Sequence, residues 1–463
     1  MKKNIFKIFA ALFFISVIVS CRKEDPVSVD FAKLNVDNPV ANTPLDTWLT
    51  TTFLNEYNID VIYRYNRFYH GDDRDVASVK VEKVQPQMQT VLEGFLLPYR
   101  KIAGTTFIKK YSPKQFVLFG SGSYNPDNSY TLATAAAGRN ITIYDLNNFD
   151  LTNTGAVVGK LRTIHHEFTH ILNQIVPMPV DFQLITKSTY LATWTTVSDA
   201  TARANGYVTP YASSQPGEDF AETTTSLLVL GQAWFDAWAN GSSVAGKAAL
   251  KAKEASVVQY FNTNLGIDFR ALQKEIQEVV RKTYNYQNAS FRYWMGQNLY
   301  KTMTINLEDG IYSANATSSD FSTPYNTFKA AILAVNTTAK YHMDYLQFRF
   351  ESTTALTVRA AFTAAAGGTQ FFADYTFTYT INPTTGAVTF TKVAQAGTTG
   401  SYANATLFTA AFTNSIQAYL TGKTFIADWL PPTIDPANYN QYGGFYLSGT
   451  PTNNFYGLLG QAL

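Results

Sequence analysis

Leu161-Arg-Thr-Ile-His-His-Glu-Phe-Thr-His-Ile-Leu-Asn-Gln-Ile175 is the most informative stretch of this 463-residue chain. Leu161, Ile164, Phe168, Ile171, Leu172 and Ile175 recur at helical spacing as one apolar stripe, which predicts a packed helix ending before Pro177. On that helix His166 and His170 stand one turn apart. Side chains at i and i+4 share a face, so both imidazoles can reach one metal ion, with Glu167 beside the first of them placed to hold a water there. His165 projects about 100° away from His166 and reads as a packing or hydrogen-bonding residue. His70 and His342 have no such company and read as ordinary histidines.

Composition narrows what kind of site this is. The chain is 46% hydrophobic, 15% aromatic and only 15% charged, so it folds and buries cores. Its 36 Lys and Arg nearly balance 34 Asp and Glu without forming a basic cluster, which argues against a nucleic-acid partner. A single cysteine excludes an internal disulfide and a four-thiolate zinc site, leaving His, Asp or Glu to hold a metal.

His-Glu-x-x-His on a helix is the zincin motif, and a tetrahedral catalytic zinc needs a third protein ligand and one open position. No third His follows His170 at metzincin spacing, so a carboxylate is expected. The best source is Pro216-Gly-Glu-Asp-Phe-Ala-Glu222, which opens the next helix with Glu218 and Glu222 one turn apart. The expected set is one zinc per chain on His166, His170 and Glu218. Glu222 then accepts the N–H of a ligating His and fixes its tautomer. At this level Glu218 and Glu222 are interchangeable, and Asp219 is a third contender. Acidic residues in a first helical turn also offset the helix dipole, whatever else they do.

His-Glu-Phe-x-His followed some 45 to 50 residues later by Glu-x-Phe-Ala-Glu is similar to the pattern of anthrax lethal factor-like zincins. The resemblance implies that the first Glu of the second motif binds zinc and that a tyrosine seven residues before it, here Tyr211, donates to the oxyanion. Tyr207 competes for that role. Over residues 44 to 285, Leu-Asp-Thr-Trp-Leu, Glu-Tyr-Asn-Ile-Asp-Val-Ile-Tyr-Arg-Tyr, the His-Glu-Phe-Thr-His helix and Gly-Glu-Asp-Phe-Ala-Glu together resemble the zinc-binding metallopeptidase lipoproteins of Bacteroidota. These are also described as import-associated zinc metallohydrolases, because they accompany TonB-dependent outer-membrane import systems. The resemblance implies a zinc peptidase with Glu167 as general base and Tyr211 as oxyanion donor, a peptide or glycopeptide substrate, and an outer-membrane import complex as partner.

The N-terminus fits that setting. Lys2 and Lys3 precede a short apolar run, and Ile18-Val19-Ser20-Cys21 resembles a lipobox whose cysteine is lipidated. Arg22-Lys23-Glu24-Asp25 resembles the export signal of surface lipoproteins. The expectation is a signal peptide over 1–20, a lipid on Cys21 as the only membrane attachment, and a tether over 21–43. Surface display on the outer membrane is preferred to its periplasmic face.

The fold expected is α+β: a zincin-like metallopeptidase domain over 44–290, with a small sheet and active-site helices, then a β-rich domain over 291–463. Helices are predicted near 44–56, 81–97, 157–175, 217–239, 244–262 and 268–283, with strands at 59–63, 115–119 and 140–146. The strand at Asn140 to Tyr144, beside the active-site helix, is expected to pair with an extended peptide. Further on, Tyr375-Thr-Phe377-Thr-Tyr379-Thr-Ile381, the turn residues Asn382 to Gly386, then Val388 and Phe390 read as a hairpin of a one-sided sheet. Two rival functions stand beside hydrolysis: a zincin-fold lipoprotein that presents peptides or glycans to an importer, and glycan binding by exposed aromatics of the β-rich part.

Overall fold

Short apolar and β-branched runs make a small sheet, whose inner strands bury successive residues on both faces. Strands β1 (Asp60–Ile62) and β2 (Gln115–Leu118) are followed by a two-stranded ribbon, β3 (Ser123–Tyr124) with β4 (Tyr130–Thr131), then β5 (Ala133–Ala136) and β6 (Asn140–Ile143). The sheet order is β1-β2-β6-β5; the first three strands are parallel and β5 runs antiparallel to β6. This corrects the expectation for residues 140–144. β6 is bonded to β2 on one side and β5 on the other, so it has no edge to offer a peptide, and the outer edge belongs to β5. This computed structural model describes residues 42–71, 73–124, 130–131, 133–136, 140–296, 298–335, 338, 340–365 and 368–463. The signal peptide 1–20, Cys21 and the tether as far as residue 41 lie outside the described residues.

Helix α1 (Pro44–Leu49) begins with a capping box, in which Thr43 Oγ1 accepts from the Asp46 N–H at 3.2 Å and Asp46 Oδ2 accepts from the Thr43 N–H at 2.9 Å. Helix α2 (Val81–Val91) precedes the sheet strand β2, and the metal-motif helix α3 (Thr154–Ile175) packs against β5. Asn153 caps α3, accepting from the Ala156 N–H at 3.0 Å. Then come α4 (Val180–Ile185), α5 (Pro216–Thr225), α6 (Gln232–Asn240), α7 (Val244–Gln259) and α8 (Phe269–Lys282). The single helix expected over 217–239 is broken. Gly231 has φ +88°, and a Cβ there would come within 2.4 Å of Gln277 Oε1, so the chain turns sharply between α5 and α6.

From Thr302 onward the chain forms a closed eight-stranded barrel: β7 (Thr302–Ile305), β8 (Tyr341–Phe350), β9 (Ala355–Ala364), β10 (Gln370–Ile381), β11 (Ala387–Lys392), β12 (Thr424–Asp428), β13 (Tyr442–Leu447) and β14 (Thr450–Gly460). Every strand is antiparallel to its neighbour in sequence, and β14 closes on β7. The hairpin read from the sequence is β10 with β11, pairing Ile381 with Val388. Its aromatic face is buried: Tyr375, Phe377, Tyr379 and Phe390 are all below 5% exposed, so they fill the core and provide no glycan-stacking platform. Helix α9 (Ser319–Val335) joins this core, with Phe321 stacked on Phe455 at 5.0 Å. The helices from α2 onward and the barrel lie in one compact unit, Leu49–Leu463. At their junction Trp429 Nε1 donates to the Ala289 carbonyl at 2.9 Å.

Candidate metal centre

Two helices build the site. α3 is held by its apolar stripe, with Leu161, Ile164, Phe168 and Leu172 fully buried, which turns His166 and His170 toward α5. α5 starts with Pro216 in its first turn and buries Phe220 and Ala221. That orientation brings Glu218 across to the imidazoles. His166 Nε2 and His170 Nε2 lie 3.0 Å apart, and Glu218 Oε2 lies 3.0 Å from the first and 3.2 Å from the second. Among the described residues these three form the one His/Cys/Asp/Glu group able to hold a metal.

Behind this cluster, His166 Nδ1 is 2.9 Å from Glu222 Oε1. The other Glu222 oxygen accepts from Thr209 Oγ1 at 2.9 Å and faces Arg162 Nη2 at 3.4 Å. A carboxylate so placed accepts the hydrogen bond from Nδ1–H and holds the proton there, which reserves Nε2 of His166 for the cluster. Charge and burial compete here. Burial pulls the His166 pKa down, but Glu218 and Glu222 outweigh it and raise it to about 10. Burial likewise opposes ionisation of Glu218, yet the two imidazoles hold it well below the usual carboxylate range. Glu222 is also lowered, His166 outweighing burial.

The remaining expected residues are distributed as follows. Glu167 lines a cleft of about 550 Å³ together with His170, Met178, Gln183 and Glu218. Tyr211 lies with its ring 6.0 Å from that of His166, and burial first, then the Glu218 carboxylate it hydrogen-bonds, push its phenol upward. Tyr207 is not at the cluster. It is buried behind it, its hydroxyl donating to the Thr186 carbonyl at 3.2 Å. Asp219 turns the other way, into an ion pair with Lys253 at 2.7 Å. His165 is fully buried and holds Gly94 O at 3.1 Å through Nε2; burial lowers its pKa to about 4, so it is neutral at pH 7. His70 contacts Tyr65, and His342 contacts Asp344 on the barrel.

A family model described as "Putative zinc-binding metallo-peptidase" matches residues 38–270, half of the chain. The chain belongs to that family. A solved structure of a putative zinc-binding metallo-peptidase from Bacteroides caccae is 29% identical, covers 53% of this chain and 94% of its own, and superposes with a TM-score of 0.45. Among curated proteins none matches.

For this zinc-binding metallopeptidase family the donor set fits the metal. Three donor atoms 3.0 to 3.2 Å apart approximate one face of a tetrahedron whose centre is about 2 Å from each corner, the radius of a zinc site. Two facing imidazole nitrogens beside a carboxylate demand a cation between them, either a proton or a metal.

Three neighbours of the site were not evident from the sequence. Arg162 lies four residues before His166, a spacing that places it on the same face of α3. Thr209 reaches Glu222 from a loop, and Trp194 packs edge-on against Tyr211 at 4.9 Å; neither carries a local signal.

Proposed function

We propose that this chain is a zinc-dependent hydrolase, a peptidase acting on peptide or glycoprotein substrates. The observation that carries the reading is the convergence of His166, His170 and Glu218 at a cleft that Glu167 also lines. These three residues would hold one zinc, which when bound supplies Lewis-acid polarisation and a water of lowered pKa. Glu167 acts as general base, taking a proton on its carboxylate and returning it to the leaving amine. Tyr211 donates its phenolic O–H to the oxygen that becomes negative in the transition state. Glu222 keeps the His166 proton on Nδ1. The edge of β5, next to α3, is the place for an extended substrate to pair.

The setting we propose is an outer-membrane lipoprotein anchored through Cys21, displayed on the surface and working beside a TonB-dependent importer. The lipobox-like Ile18-Val19-Ser20-Cys21 and the charged Arg22-Lys23-Glu24-Asp25 support it. No helix among the described residues is long and apolar enough to cross a membrane. Cys21→Ser releasing the protein from membranes would support the anchor; unchanged membrane association would remove it.

The deciding experiment measures zinc content and peptide-library cleavage for wild type beside Glu167→Gln. Wild type is expected to hold about one zinc and cleave, and the variant to keep zinc and lose cleavage. Zinc with no cleavage of any peptide or glycopeptide would favour a presenting module, and absence of zinc would overturn the site.

A further inference from the structure

Lys253, on α7, is completely buried, as is Asp219 on α5, and Lys253 Nζ lies 2.7 Å from Asp219 Oδ2. The same ammonium donates to the Gly206 carbonyl at 2.8 Å and sits 3.9 Å above the centre of the Tyr207 ring. Asp219 in turn accepts from Tyr190 Oη at 2.8 Å and Thr223 Oγ1 at 3.4 Å. One ion pair therefore joins α7 and the first turn of α5 to two loops. The loop beginning at Gly206 leads to Thr209 and Tyr211. The loop carrying Tyr190 leads to Trp194, which packs on Tyr211, and is fastened by the Leu191 N–H to the Ser213 carbonyl at 2.8 Å.

Stability alone does not account for such a pair. Removing two charges from water is so unfavourable that apolar residues of the same volume commonly stabilise a core as well or better. What a buried ion pair supplies is direction. Asp219 is adjacent to Glu218, so whatever fixes the rotation of the first turn of α5 fixes the position of the Glu218 carboxylate. A site of this kind tolerates only about 0.5 Å or 10–20° of misplacement.

We propose that Lys253 is a positioning residue of the metal centre: through Asp219 and Gly206 it locks Glu218 and the Tyr211 loop into the arrangement that receives zinc. The inference rests on the hydrolase reading above. It concerns the 2.7 Å pair and the loops it joins, and assigns Lys253 no contact with substrate.

The test compares wild type, the double variant Asp219→Asn with Lys253→Met, and Tyr190→Phe, reading zinc affinity by chelator competition and thermal midpoints of the metal-free proteins. The double variant removes both charges and leaves none buried alone, so its metal-free midpoint should match or exceed that of wild type. Its zinc Kd should nevertheless rise about 10- to 100-fold, the usual effect of losing support around a metal site. Wild-type zinc affinity in a stably folded double variant would overturn the proposal. Should the double variant not fold, Tyr190→Phe decides, since it removes one donor to Asp219: a zinc Kd raised several-fold supports the lock, and an unchanged Kd refutes it. Failure of the hydrolase reading looks different, namely wild type that holds zinc and cleaves nothing.

Discussion

Arg281 Nη1 on α8 lies 2.7 Å from Asp428 Oδ1 at the end of β12, joining the helical half of the molecule to the barrel. The second guanidinium nitrogen holds both oxygens of Glu278, at 2.9 and 3.1 Å, and Asp428 Oδ1 also accepts the Trp429 N–H. Arg281→Met removes these charge-assisted bonds and is expected to destabilise by about 1.5–3 kcal/mol. A fall in the urea midpoint checks this. An unmoved midpoint would mean that aromatic packing, not the ion pair, holds the junction.

Glu222→Gln tests the carboxylate behind His166. The amide keeps the shape but no longer holds the proton on Nδ1 by charge, so the Nδ1–H tautomer, with Nε2 free for the metal, is less well defined. Zinc affinity should fall about 10- to 100-fold, as measured by chelator competition. Full retention of affinity would show that Thr209 and Arg162 orient the site without the charge.

Proton and zinc compete for His166. In the metal-free protein its pKa is raised from 6.5 to about 10, so the stability it contributes is complete below pH 6.5 and fades as pH rises through about 10. Glu218 and Glu222, lowered from 4.5, contribute above pH 4.5 and lose that contribution as pH falls further. The cluster thus favours the metal-free fold most between those limits. Zinc must displace the His166 proton, so its affinity should climb about tenfold per pH unit between pH 7 and 9. A flat affinity profile over that range would contradict the charge assignment.

Tyr211→Phe should lower kcat by about 10²- to 10³-fold with little change in KM, as expected for a donor used in the transition state. Tyr207→Phe, which removes a buried hydrogen bond to Thr186, should instead leave kcat near wild type and destabilise by about 1 kcal/mol. Exchanged phenotypes would exchange the two roles.

What was legible in the sequence was local. The i, i+4 spacing of His166 with His170 and of Glu218 with Glu222 follows from helix geometry alone, and so does the turn of His165 away from the metal-facing side. The strand alternation of Tyr375 to Ile381 was legible for the same reason, because a period of two is written along one segment. The break at Gly231 was not, since its cause is Gln277, 46 residues on, occupying the space of a missing Cβ. Nor was the burial of β6 between β2 and β5, because an inner and an edge strand can carry the same residues. Lys253 was invisible for a related reason: a lysine in a run such as Lys251-Ala-Lys253-Glu254 reads as a solvated face until Asp219 appears opposite it.

The barrel closes by pairing its first strand with its last, Thr304 against Leu458. During synthesis β7 leaves the ribosome long before β14 exists. At about 5–20 residues per second the wait is roughly 8 to 30 seconds, and throughout it one flank of β7 is bare backbone. The metal-centre helices emerge earlier and can settle on their own contacts. The barrel is a product of the finished chain, and a nascent protein stalled before Thr450 would expose two unpaired strand edges to its neighbours.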